Sequence, residues 1–271
     1  MISALILAHI LTTNTVAAAQ PVLLRYKFHP GQSRTYKMSM DMDMKMDMGG
    51  QKMPVKMDMS SVTKQTVKSV NSSGSAAMSV SVVSQSMVMK MNGQERPMPI
   101  AANKEAAKLT MSPTGTVSGI DLGKNAPASN PMGMMGGGNA LSSLQMTGAL
   151  PSQPVSVGSH WATTANLMGG NLQMTSHLDK VATEGGHTIA YLSCGGDVDM
   201  GKVLGAVGGA NGLSGAGTMK SDIHYRFDVT SGSVLDVHGV MNMNMNMSSA
   251  KAAKGAMTMS GVMHLKMNLV Q

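Results

Sequence analysis

Thirty-two methionines in 271 residues are the side chains best able to give this sequence unusual chemistry. A thioether is at once adaptable apolar surface and the soft ligand that selects Cu(I). Met38, Met40, Met42, Met44, Met46 and Met48 fill every even position of their stretch, and Met57, Met59, Met87, Met89, Met241, Met243 and Met245 keep the same period of two. Such ladders can be core packing, the wall of a groove for an apolar guest such as an acyl chain, or a Cu(I) surface. Same-face residues of a strand stand ~6.6 Å apart and cross-strand neighbours ~5 Å, so three sulfurs meet at one ion only by bending inward. A Cu(I) role also requires the Met face of 38–59 to be open to solvent, whereas burial against Val, Leu and other Met removes that access.

The remaining reactive residues form no catalytic constellation. His224, His238 and His264 share the polar parity of the C-terminal segments, with His224 placed diagonally from His238; they read as histidines of a solvated face. Cys194 is the sole cysteine, which excludes a disulfide scaffold and paired-cysteine zinc sites, and reads as a buried, inert thiol. Gly-x-Ser-x-Gly, Walker and His-Glu-x-x-His patterns are absent from the sequence. The glycine runs at 136–138 and 205–217 lack the strand-to-helix grammar of a phosphate loop. No catalytic residue, metal ligand or cofactor is therefore assigned. The ligand-binding expectation rests on Met38, Met40, Met42, Met44, Met46, Met57, Met59, Met87, Met89, Met241, Met243 and Met245.

Strands must position these residues, because a period of two puts alternate side chains on opposite faces. Segment 38–48 alternates Met with Lys, Ser and Asp, then Gly49-Gly50 supplies a two-residue hairpin. That loop sets Met46 opposite Met53, Met44 opposite Val55, Met42 opposite Met57 and Met40 opposite Met59. On the other face it sets Asp47 opposite Lys52 and Asp43 opposite Lys56. Asp41 falls opposite Asp58, which predicts a bulge or splayed end there, and Pro54 predicts an edge or a bulge. Along 77–91 the apolar phase changes, which predicts a bulge near Val83, Ser84 and Gln85. Asn92-Gly93 predicts a tight hairpin with Lys90 facing Glu95 and Met87 facing Met98, at an edge marked by Pro97 and Pro99. Further on, Ile223, Tyr225 and Phe227 form one strand face and Leu235, Val237 and Met241 to Met247 the returning one, with Tyr225 covering Gly239. Met257 to Leu269 is the last strand.

The fold class read from this pattern is all-β: two similar antiparallel curved sheets or half-barrels with a short helical or Gly-rich plug. Residues 1–19 read as a signal peptide, apolar and then closed by Val16-Ala17-Ala18-Ala19. Residues 20–125 form a first lobe, 126–153 a Gly, Met and Pro-rich linker with a short helix over 140–150, and 154–271 a second lobe related by internal duplication. The linker's counterpart at 198–217 reads as a Gly-rich loop or a short apolar helix around 203–207. Signal and composition together imply an exported protein, periplasmic or secreted, without a lipid-anchor cysteine. The +7 charge is spread over scattered lysines with few aromatics, which disfavours nucleic acid and is compatible with an anionic envelope surface. A transmembrane barrel, the rival built from similar strands, would carry aromatic girdles; only 3% of residues here are aromatic.

Leu150-Pro151, Val155, Gly158 and Trp161 form a Leu-Pro-x-x-x-Val-x-x-Gly-x-x-Trp segment between the halves. In this order of parts the chain resembles uncharacterised exported bacterial β-proteins, which are in turn distantly similar to periplasmic lipoprotein carriers. The resemblance implies a curved antiparallel sheet around a helical plug that shelters acyl chains. It implies no catalytic residues. The Met ladders depart from the Val, Leu and Phe usual there.

Overall fold

The structure is a computed structural model and describes residues 20–48, 50–98, 105–121, 149–167, 170–201, 213–249 and 257–270. The signal segment 1–19 and the two expected helices, apart from residues 149 and 150, lie outside these residues. Among the described residues twelve strands are formed: β1 (Ser33–Met48), β2 (Gln51–Val70), β3 (Ala76–Met91), β4 (Gln94–Pro97), β5 (Ala107–Met111), β6 (Val117–Asp121), β7 (His160–Leu167), β8 (Gly170–Glu184), β9 (His187–Asp199), β10 (Leu213–Asp228), β11 (Ser233–Ser249) and β12 (Met257–Leu269). They make one antiparallel sheet in the order β6-β5-β3-β2-β1-β12-β11-β10-β9-β8-β7, with β4 attached to β3. The all-β class is as the alternation required. The two expected half-sheets are continuous, because β1 and β12 pair from Tyr36 with Leu269 to Met48 with Met257. The sheet is open, with β6 and β7 at its ends.

The β1–β2 hairpin has the register that its charges and methionines dictate, with Met46 opposite Met53, Met42 opposite Met57 and Asp43 opposite Lys56. Lys56 Nζ lies 2.9 Å from Asp43 Oδ1. The bulge expected at Asp41 and Asp58 is absent: the pair stays in register. Asp41 is also paired on its other side, with His264 of β12. Pro54 lies just past Val55–Met91, the last pair between β2 and β3, where no ladder hydrogen bond is demanded of it. Val83 is the bulge residue in β3, left unpaired between Ser84–Val62 and Val82–Thr63. Asn92 (φ 51) and Gly93 (φ 79) make the tight turn to β4, and Lys90 Nζ reaches Glu95 at 3.1 Å.

In the β10–β11 hairpin two details differ from the sequence pattern. A register shift after Arg226 pairs Phe227 with Val234 and leaves Leu235 unpaired, so Val234, not Leu235, continues the buried face. Gly239 accordingly sits opposite Ile223, with Tyr225 opposite Val237. A Cβ on Gly239 would lie 3.2 Å from Ile223 Cγ1, so Ile223 rather than Tyr225 covers that glycine.

Curvature follows from what spans the sheet at one end. Residues 20–29 form a strap: Val22 exchanges two hydrogen bonds with Val155, the Tyr26 amide donates to Pro113 O at 2.8 Å, and the Lys27 amide donates to Gly232 O at 3.2 Å. The Leu150 amide donates to Thr114 O, between β5 and β6, while Trp161 Nε1 of β7 donates to Ala149 O at 3.0 Å. Parts flanking the two opposite edges are thus joined through a few residues, and the sheet has to bend round on itself. Leu24, Tyr26 and Phe28 are the buried side of the strap. Tyr26 packs edge-on against Phe227, centroids 5.3 Å apart, and stacks with Phe28.

Inside, the methionines line up in rungs. Met89, Met57, Met42, Met263 and Met241 lie side by side across β3, β2, β1, β12 and β11; Met53, Met46, Met259 and Met245 form another. Between Met44 and Met243 the rung is occupied by Gly261, whose added Cβ would fall 2.5 Å from Asp43 O and 2.9 Å from Met44 Cγ. Backbone approach at this point requires glycine. Gly261→Ala is expected to cost about 1–3 kcal/mol through overpacking, read as a lower urea midpoint at unchanged slope, whereas Ala at exposed Ser260 should be within about 0.5 kcal/mol of the parent.

Candidate functional site

The inner face is graded along the strands. At the strap end it is aromatic, with Tyr26, Phe28, Tyr36 and Phe227 buried together; toward the opposite end the wall is thioether. Of the residues singled out in the sequence, Met38, Met40, Met42, Met44, Met57, Met59, Met89, Met241, Met243 and Met245 are each no more than 8% exposed, and Met46 and Met87 are half-buried against the same cluster. The register brings all twelve to one surface. Alternation revealed each ladder; their fusion into one wall depends on the pairing of β1 with β12. That burial also removes the solvent access a Cu(I) surface would need.

Among the described residues two buried side-chain oxygens have no hydrogen-bond partner, Tyr225 Oη and Ser176 Oγ, both on the inner side. Ser176 faces Cys194 of β9, which faces Ile223 of β10, and Tyr225 lies two residues further along β10, opposite Leu192. Burial pushes the Tyr225 phenol well above its ordinary value. It therefore stays a neutral donor. Burial likewise raises the Cys194 thiol, offset in part by the adjacent Ser176 hydroxyl, so Cys194 is the inert thiol expected. Sulfur is too weak an acceptor to satisfy that hydroxyl. These orphaned hydroxyls escaped the sequence pattern, although Ser176 between Met174 and Leu178 does interrupt an apolar parity.

On the outer face His224 stands directly opposite His238, not diagonal to it, and His264 is opposite Asp41. With Asp222 and Lys266 they border a shallow depression of about 330 Å3. His224 Nε2 is 3.1 Å from Asp222 Oδ1, both well exposed. Among the described residues no group of three or more His, Cys, Asp or Glu side chains is disposed to hold a metal ion.

Outer-face charges also fasten the strap end. Arg226 on β10 donates to Asp236 of β11 at 2.7 Å and to Glu184 of β8 at 3.3 Å, while the Tyr191 hydroxyl of β9 donates to Glu184. Four strands are linked by this one chain of contacts. Asp228 holds the β10–β11 turn, accepting from Ser231 Oγ at 2.6 Å, His187 Nδ1 at 2.8 Å and the Thr230 amide at 2.8 Å.

Neither a family model nor a curated protein matches this chain. Among solved structures, one on lipid-protein interactions in lipovitellin superposes with TM-score 0.53 and 9% identity, covering 90% of this chain and 26% of that one. The chain thus spans about a quarter of the lipovitellin chain, and the likeness is one of fold. An outer membrane lipoprotein-sorting protein domain from Vibrio parahaemolyticus aligns over 87% of this chain and 83% of its own, at 8% identity and TM-score 0.14. DynF from the dynemicin biosynthesis pathway of Micromonospora chersina aligns over 96% and 92%, at 9% identity and TM-score 0.23. Superpositions this poor bear no weight, so the lipoprotein-carrier resemblance gains none from them.

The Asp228 geometry sets a pH dependence. Burial would raise its carboxyl, but hydrogen bonds from Ser231, His187 and Thr230 outweigh this and hold it below its usual 3.8. A carboxyl lowered in the folded state contributes stability that is present above the unfolded value and is lost as pH falls through the folded one. The stability difference between the parent and Asp228→Asn should therefore be constant from pH 5 to 6 and shrink below about pH 4, followed by urea unfolding at each pH.

Proposed function

We propose that this chain is an exported, non-enzymatic carrier or binding module that takes apolar, acyl-chain-like ligands against the methionine wall. The observation that carries the reading is the set of contiguous thioether rungs on the inner face of a single bent sheet. Each Met has three rotatable bonds, so the wall specifies its own packing poorly and repacks readily around guests of different length. The lipovitellin-like fold supports the reading, since that structure concerns lipid bound to protein. Met38, Met40, Met42, Met44, Met46, Met57, Met59, Met87, Met89, Met241, Met243 and Met245 would contact the guest. The sulfurs are covered in this structure, which denies Cu(I) its access and equally requires the wall to part before a guest enters; a dry structural core of Met is the competing account.

We also read the chain as duplicated halves, 20–125 and 154–271. In support, the turns at 71–74 and 185–186 each join the second and third strands of their half. Residues 1–19 would direct export, to the periplasm or beyond.

Native mass spectrometry of the protein purified from its host is expected to show co-purifying lipid that leaves at raised collision energy. An absence of any bound lipid, together with failure to bind added fluorescent acyl chains, would leave the dry-core account. Changing Met42, Met57 and Met263 together to Leu conserves volume, so stability should shift by less than about 1.5 kcal/mol per site. The range of acyl-chain lengths bound by this variant should narrow, because Leu repacks less freely.

A further inference from the structure

The Met wall is apolar, but the inner surface is not uniformly so. Tyr225 Oη and Ser176 Oγ are buried without partners, and a buried hydroxyl left unpaired costs roughly 1–3 kcal/mol. They stand on the two strands that flank β9, Ser176 opposite Cys194 and Tyr225 opposite Leu192, two residues along the ladder. Their position along the strands matters. The Tyr225 rung continues through Val237, Met267 and Met38, and the rung of Ile223 continues through Gly239, Leu265 and Met40. The hydroxyls therefore lie where the aromatic end gives way to the methionine wall.

Charge chooses the kind of group that could meet them. Among the described residues the buried charged side chains are Asp228 and Asp236, and each is committed, to His187 at 2.8 Å and to Arg226 at 2.7 Å respectively. Among the described residues no cation is buried beside Tyr225 or Ser176 to compensate a carboxylate or phosphate, and an unpaired anion in such a place is heavily penalised. Two neutral O–H donors instead suit a carbonyl or hydroxyl oxygen.

We propose that Tyr225 and Ser176 bind the neutral polar group, an ester carbonyl or an alcohol, of a lipid whose chains run from there along the Met rungs. This rests on the carrier reading and narrows it to uncharged lipids such as acylglycerols. Fatty acid anions and phospholipid head groups would be poor occupants of this position.

The test uses the full chain with three probes: 1,2-dioleoylglycerol, oleate at pH 8, and pyrene, which has no polar group. The parent should bind dioleoylglycerol more tightly than oleate. Tyr225→Phe and Ser176→Ala should each weaken dioleoylglycerol binding about 3- to 10-fold and leave pyrene binding unchanged. Without ligand, both variants should melt at the parent temperature or above it, because an unpaired buried hydroxyl has been removed. Unchanged dioleoylglycerol affinity in both variants while pyrene still binds would overturn the assignment but leave the carrier reading intact. Tighter binding of oleate, or a lower melting temperature in both unliganded variants, would overturn it as well. Failure of the parent to bind any of the three probes would remove the carrier reading itself and this inference with it.

Discussion

The ladder between β1 and β12 is the constraint on which the rest of the structure depends. Its two strands are far apart in sequence, and each carries its apolar residues on one parity, even in β1 and, Val262 apart, odd in β12. The register sets Met38 against Met267, Met42 against Met263 and Met46 against Met259, which joins two amphipathic half-sheets into one with a common inner face. A slip of one residue would turn one strand over relative to the other and send Asp41, Asp43, Lys45 and Asp47 inward. The hydrophobic wall, its continuity and its separation from the charged face all follow from that single alignment.

Methionine is a poor material for specifying such an alignment, because each side chain has many ways to fill space. Specification comes from elsewhere. Outside, Asp43 with Lys56 and Lys90 with Glu95 mark the register of their hairpins, although exposed pairs of this kind contribute only tenths of a kcal/mol to about 1 each. At the strap end the ring contacts of Tyr26 with Phe28 and Phe227 and the Glu184–Arg226–Asp236 chain define a unique packing. The result is a sheet with one well-specified end and one adaptable wall.

Local pattern made the strands legible. Alternation placed the ladders, the Gly49-Gly50 loop gave the β1–β2 register pair by pair, and the phase change in 77–91 located the bulge at Val83. Pattern was misleading where two short-range preferences competed: the Asp41–Asp58 pair suggested a defect that the ladder tolerates, and the parity of Leu235 concealed a bulge at the turn held by Asp228. Long-range features were not legible. Phe227 lies some 200 residues from Tyr26 and Phe28 and meets them only through the topology, and the strap at 20–29 has hydrogen-bond partners some 90 to 200 residues away. Likewise, nothing in the neighbourhood of Tyr225 or Ser176 reveals that the fold leaves their hydroxyls unpaired.

The place of β12 in the sheet has a consequence for assembly. Although last in order among the strands of the described residues, it lies in the middle of the sheet, between β1 and β11. While the chain emerges in order, β1 and β11 therefore each present a long methionine-faced strand with an open hydrogen-bonding edge, and neither can close until residues 257–269 arrive. Open edges of this kind are templates for pairing between molecules, and contacts this distant in sequence form slowly. A chain halted before β12 would be a pair of sticky half-sheets, so the arrival of residues 257–269 and the suppression of aggregation become one event.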